Sequence, residues 1–121
     1  MPLNILAVDD SRTIRDLLAL ALGEAGHAVA LAEDGIDGLD KLQTFAADAI
    51  ISDINMPRLD GFGFVERVRS LPAHRATPIL MLTTEIAPEL KARARAAGAT
   101  GWIVKPFDAE KLLRALSLVA G

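Results

Sequence analysis

Between Asp48 and Gly61 the chain reads DAIISDINMPRLDG, and this stretch limits the fold more than any other. Ala49-Ile50-Ile51 is continuously apolar, closes on Ser52-Asp53, and is followed by Pro57 and Gly61. A run that is apolar on both faces and stops so soon is too short for a helix. It reads as a buried strand of a parallel sheet. Open α/β sheets bind ligands outside the carboxyl ends of their strands, so Asp53 stands at such a mouth. An aspartate there is equally at home as a turn residue or a helix cap. What shifts the balance is a second acidic pair, Asp9-Asp10, closing another apolar run.

The alternation of strand and helix signals runs from end to end. Leu3 to Val8 is the first expected strand, and Ser11 or Asp10 caps the helix after it. Ile14, Leu17, Leu18, Ala21 and Leu22 recur at helical spacing, and Gly26 is placed to end that helix. Ala28 to Ala32 is a weaker second strand. Asp34-Gly35 is a turn, and Ile36, Leu39 and Leu42 mark a short helix. After the Asp53 strand, Gly61 opens a helix with Phe64, Val65, Val68 and Leu71 on one face. Leu71 to Thr77 is expected as a loop. Ile79 to Thr83 is the fourth strand, and Pro88 to Gly98 an Ala-rich, basic helix with Pro in its first turn. Trp102-Ile103-Val104 is a short fifth strand. Lys105-Pro106-Phe107 turns, Asp108 caps, and Leu112, Leu113, Leu116 and Val119 line the last helix. Successive βα units of this length imply a parallel sheet with helices on both faces.

Composition narrows the function classes. The sequence has 121 residues, enough for one ordinary domain. Its net charge of −3 carries no basic footprint for nucleic acid. Without cysteine there is no disulfide or thiolate metal site. The two histidines, His27 and His74, are too few for a zinc site and fall in apparent loops. No apolar run reaches membrane-spanning length, and MPLNILAVDD has no basic region followed by a cleavage site, so a cytoplasmic protein is expected.

In a parallel sheet all strands end on one side. Asp9, Asp10, Asp53, Thr83 and Lys105 each fall at or just beyond a strand end. If strands one and three are neighbours, the three carboxylates converge, and their repulsion calls for a counter-charge. Oxygen ligands in a sparse site that keeps its waters suit Mg²⁺ better than Ca²⁺. A lysine and a threonine beside such a cluster can hold phosphoryl oxygens. Each alone reads as a surface lysine before a turn or a strand-end hydroxyl bonded to backbone; their conjunction at separate strand ends does not.

VDDSRTIR, ISDINMPRLDGFGF, PILMLTTE and GATGWIVKPF resemble, in order and spacing, the receiver domain of two-component response regulators. The resemblance covers essentially the whole chain and, within the family, extends to the stand-alone chemotaxis receivers of the CheY type. It implies a flavodoxin-like (βα)5 doubly wound sheet with strand order 2-1-3-4-5, formed by residues 1–121 as a single receiver domain. It also implies that Asp53 is the phosphoacceptor, taking the group from a phosphohistidine of a CheA-like histidine kinase. Asp9, Asp10, Asp53 and the backbone carbonyl of Asn55 then hold Mg²⁺. Thr83 bonds the phosphoryl group and moves with it, and Lys105 pairs with a phosphoryl oxygen. Lys105-Pro106 matches the family's cis peptide. Trp102 occupies the aromatic switch position, where Tyr or Phe is usual. Asn55 and Glu85 flank the phosphoryl group and tune dephosphorylation. A monomer is implied, signalling through the face made by its fourth helix, fifth strand and fifth helix to another protein: a flagellar motor switch protein, with a phosphatase as a possible further partner. Neither nucleic acid nor a membrane is expected as a partner, and no output domain is expected after Gly121.

Three other readings compete. A metal-dependent phosphatase or phosphotransferase also uses a strand-end aspartate, but this length leaves no cap domain, and Asn55 stands where a second acid would be needed. A flavodoxin-like cofactor binder needs a Gly/Ser/Thr-rich phosphate cradle, and the first loop is acidic instead. Within the receiver family, a phosphorelay shuttle or phosphate sink is the alternative to a motor signal.

Overall fold

Asp53 and its neighbours are placed by five parallel strands in the order β2-β1-β3-β4-β5. They are seen in a computed structural model that describes residues 2–84 and 87–120. The strands are β1 (Asn4–Val8), β2 (Ala28–Ala32), β3 (Ala49–Asp53), β4 (Ile79–Thr83) and β5 (Gly101–Val104). The helices are α1 (Arg12–Glu24), α2 (Gly35–Lys41), α3 (Gly61–Ser70), α4 (Pro88–Ala97) and α5 (Ala109–Ala120). Helices α1 to α4 each join one strand to the next and α5 follows β5, which gives the flavodoxin-like, doubly wound topology.

Strand alternation divides the core between the two faces. Ile5, Ala7, Ile51, Leu80, Leu82 and Ile103 pack with Leu18 and Leu22 of α1 and Leu112 and Leu116 of α5. Leu6, Val8, Ile50, Ile79 and Met81 pack on the other face with Phe64, Val65 and Val68 of α3 and Ala94 of α4. β3 and β4 are buried at every position, which is why they read as unbroken apolar runs and not as alternating ones.

Helix starts follow from short polar side chains that accept otherwise unpaired amides. The Ser11 hydroxyl accepts from Ile14 N, the Asp34 carboxylate from Asp37 N, and the Asp60 carboxylate from Gly63 N. Asp108 does the same for Lys111 N. α4 has no side-chain cap and starts on Pro88, whose missing N–H needs none. It ends at Gly98, whose φ of 115° is one that L side chains rarely adopt.

Several sequence expectations change. Ser11, not Asp10, caps α1. Leu17 is half exposed, because the buried stripe of α1 is centred on Leu18 and Leu22. Asp34-Gly35 is not a free turn but the cap and first residue of α2. Leu71 follows α3 as its C-cap, and the expected loop contains a 3-10 turn, Pro72–His74, started by the fixed φ of proline. His74 is buried in that turn, with Nδ1 2.9 Å from the Thr77 hydroxyl. Glu85 lies outside the described residues.

Candidate functional site

β1 and β3 are hydrogen-bonded neighbours, with Val8 opposite Ser52. Their ends therefore deliver Asp9, Asp10 and Asp53 to one spot, and one oxygen from each carboxylate lies within 4.8 Å of the others. Asp9 is fully buried, Asp53 nearly so, and Asp10 is exposed. Both Asp9 oxygens are engaged. Oδ1 accepts from Ser11 N at 2.9 Å and Oδ2 from Lys105 Nζ at 2.9 Å. Arg15 donates to the Asp9 backbone carbonyl at 2.8 Å and ties α1 to the same loop.

Lys105 reaches in from the end of β5. Its ammonium lies 3.2 Å from Asp53 Oδ1 as well, so one cation bridges two carboxylates. The Lys105-Pro106 peptide is cis. Asp53 Oδ1 also accepts from Ile54 N at 2.9 Å. Both contacts fall on Oδ1, which leaves Oδ2 as the oxygen without a hydrogen-bond partner among the described residues.

The electrostatics follow from this packing. Burial, then the Asp9 charge, raise the Asp53 pKa above the ordinary carboxylate value, and Lys105 only partly offsets them. For Lys105, burial disfavours the ammonium. The hydrogen bond to Asp9 and the charges of Asp53 and Asp9 outweigh it, so its pKa is raised. The cluster thus holds more negative charge than one lysine neutralises. A hard cation with oxygen ligands fits this donor set.

Thr83 ends β4 and is buried beside the cluster. Between it and Trp102 is a cleft lined by Ile54, Met81, Leu90, Lys91 and Ala94, with about 10 Å³ of free interior. That is no more than one water needs. The half-buried indole of Trp102 does not occupy it. Instead, Lys91 Nζ stands 4.8 Å and the Arg95 guanidinium 5.0 Å from its ring centre. The two cations are one helical turn apart on α4, so both face the ring.

Sequence reasoning missed one interaction at the mouth. Arg58 lies in the loop between β3 and α3 at φ 66°. It makes two parallel bonds to Asp34, Nε to Oδ2 at 2.7 Å and an Nη to Oδ1 at 2.9 Å. Its hydrogen bonds, acting against burial, lower the Asp34 pKa. The cap role of Asp34 was open to sequence reasoning; its pairing with a residue 24 positions away was not.

The sheet thus carries an acidic pocket with a bridging lysine at its strand ends. The chain belongs to the response regulator receiver domain family, whose model matches residues 5–117. It is 39% identical over 113 residues to the response regulator MprA of Mycobacterium sp. (strain KMS), covering 93% of this chain and 48% of that one. The chain thus spans about half the length of the curated relatives it matches. Among solved structures it is similar to the chemotaxis response regulator CheY4 of Vibrio cholerae. There the identity is 50%, the TM-score 0.94, and the coverage 98% of this chain and 99% of that one. The receiver domain of the sensor histidine kinase PA1611 of Pseudomonas aeruginosa, described with a magnesium ion in its active-site cleft, matches at 28% identity. Its TM-score is 0.91, over 100% of this chain and 99% of that one.

Proposed function

We infer that this receiver domain accepts a phosphoryl group on Asp53 from a phosphohistidine of a CheA-like histidine kinase. The observation that supports this most is the convergence of Asp9, Asp10 and Asp53 around the ammonium of Lys105. Asp53 Oδ2, the oxygen left without a hydrogen-bond partner among the described residues, attacks phosphorus. The new P–O bond forms as the P–N bond breaks, and the electron pair returns to the departing imidazole. Lys105 keeps Oδ1 paired and is near enough to take up a phosphoryl oxygen. Such catalysis is positioning plus electrostatic stabilisation, with no further covalent chemistry.

Asp9, Asp10, Asp53 and the Asn55 backbone carbonyl are the groups that would hold Mg²⁺, which when bound supplies neutralising charge for the transferred phosphoryl group. Thr83 takes the role of sensing hydroxyl, and Trp102 that of the mobile ring. The free space between them is too small for an indole. Inward motion of Trp102 therefore requires Thr83 to move first. Asn55 and Glu85 are assigned to orienting the water that removes the phosphoryl group.

The wider reading is a single receiver domain, residues 1–121, working as a cytoplasmic monomer in chemotaxis. Its α4–β5–α5 face would bind a flagellar motor switch protein, and a phosphatase would reset it. Similarity to CheY4 over nearly the full length of both chains supports this. The runner-up is a phosphorelay shuttle or phosphate sink.

Labelling by acetyl phosphate with Mg²⁺ tests the acceptor. Asp53→Asn should abolish an acid-stable, hydroxylamine-labile label; undiminished labelling of that variant would place the acceptor elsewhere. A pull-down with and without beryllofluoride tests the pathway. Recovery of a motor switch protein only in the activated state supports motor signalling, and recovery of kinases or histidine phosphotransferases alone supports the shuttle.

A further inference from the structure

The loop between β3 and α3 is closed at its base, where Gly61 N donates to Ile54 O at 2.7 Å. A Cβ on Gly61 would lie 2.3 Å from the Asp53 carbonyl oxygen, so the base admits no side chain. Above that base the loop is largely exposed, with Asn55, Pro57, Arg58 and Asp60 all in solvent. Its tip nevertheless has a specific and costly shape. Leu59 N bonds Pro57 O at 2.7 Å, an i to i+2 hydrogen bond around Arg58. With φ 66° at that central residue, the turn is of the rare, strained γ kind. A non-glycine residue holds such a conformation only where its surroundings over-determine it.

The over-determining contact is the fork of Arg58 on Asp34. Such bidentate pairs are strong and fix orientation as well as distance. Asp34 is a rigid anchor, because its side chain is 5% exposed and it caps α2. Leu59 also packs close to the start of α2, its carbonyl oxygen lying 2.9 Å from where a Cβ on Gly35 would be. The loop tip is thus fastened to the start of α2, and the loop base to the end of β3. Asn55 is held between these two points.

We propose that the Asp34–Arg58 pair is a latch that holds the phosphoacceptor loop in the shape presenting the Asn55 backbone carbonyl to the acidic pocket. Asp34 and Arg58 are then positioning residues for Mg²⁺, and this rests on the Mg²⁺ reading of the pocket given above. Neither residue touches the metal. Their effect passes through the loop backbone, as it does for the outer partners of metal ligands generally.

Two variants separate a latch from a merely structural ion pair. Arg58→Gly removes the fork but tolerates φ 66° without strain. Asp34→Asn removes the carboxylate but keeps an oxygen that caps α2. Calorimetric titration with Mg²⁺ and amide hydrogen exchange of Asn55, Met56, Arg58 and Leu59 in the metal-free protein are the readouts. The latch predicts that both variants weaken Mg²⁺ binding about ten-fold, the low end for lost outer-partner contacts, and that exchange rises in the loop but not in β3. Mg²⁺ affinity and loop exchange equal to wild type, with only a lower Tm, would overturn the proposal. If the wild type itself bound no Mg²⁺, the reading of the pocket would fall, and the latch with it as a metal-positioning device, whatever the exchange showed.

Discussion

Replacing Lys105 with Met probes the charge balance of the pocket directly. Met keeps most of the aliphatic stem, so the packing of the buried chain changes little. What disappears is the ammonium lying 2.9 Å from Asp9 and 3.2 Å from Asp53. At an effective dielectric constant of about 20, each contact is a gross attraction of about 5 kcal/mol. Desolvation of the ammonium, whose side chain is 15% exposed, offsets much of that. Removing one partner of a buried ionic cluster typically costs about 3–5 kcal/mol, because the remaining charges are left uncompensated. For a chain of this size that is a fall in Tm of roughly 10–20 °C. The penalty has a sign in pH. The Asp53 pKa is already raised by burial and by Asp9, and it rises further without Lys105. The variant's deficit is therefore greatest where Asp53 is ionised and shrinks as pH falls toward the carboxylate range. Mg²⁺ at about a hundred times its Kd should return about 2.7 kcal/mol by mass action, and more to the variant than to the wild type, since the lysine no longer competes. Urea unfolding at several pH values, with Mg²⁺ and with EDTA, measures each of these quantities. A loss below about 1 kcal/mol, the scale of an exposed pair, or a deficit independent of pH, would refute the reasoning.

Asp53→Asn should raise the Tm of the metal-free protein near neutral pH, because the raised pKa means ionised Asp53 costs stability there; the contribution of this one group is fully present below its ordinary value of 3.8 and is lost as pH rises through the folded pKa. Scanning calorimetry of both proteins across pH checks it. His74 works the other way: burial, then the charge of Arg69, lower its pKa, so its own contribution is full above 6.5 and falls as pH drops from there. Urea midpoints for wild type and His74→Gln should converge on acidification. Gly61→Ala should cost about 1–3 kcal/mol or more, the usual range for overpacking, since its Cβ meets backbone and not a flexible side chain. Denaturant titration measures this loss. Replacing Lys91 and Arg95 together by Gln should change the Trp102 emission of the resting protein, and Thr83→Ala should lose most of the shift caused by beryllofluoride; equal shifts in Thr83→Ala and wild type would make Trp102 static packing.

The strands and the acidic cluster were legible because burial on both faces leaves an unambiguous apolar run, and because parallel strands must end together. Asp9, Asp53 and Lys105 therefore come to one place on the sequence pattern alone. Leu17 misled because helical spacing marks a stripe without giving its width. The 3-10 turn at Pro72 is shorter than any periodic signal. The latch was hidden for a different reason. MPRLDG announces a turn, but nothing local says that its arginine adopts a positive φ or which carboxylate it meets. Nor does the sequence say that Lys91 and Arg95 turn toward Trp102, since a basic helix reads first as a solvated one.

Asp9 and Lys105 meet across 96 residues of chain, which orders events at the ribosome. At about 5–20 residues per second, roughly 5–20 s separate the synthesis of the first carboxylate from that of the cation that balances it. β1 is complete before that interval and β3 is made within it, and pairing them early would place the acidic ends together with no lysine between them. The cluster thus works against premature closure of the sheet centre. The residue after the final strand brings the compensating charge, so the charge balance of the pocket is reached with the last part of the fold and not before it.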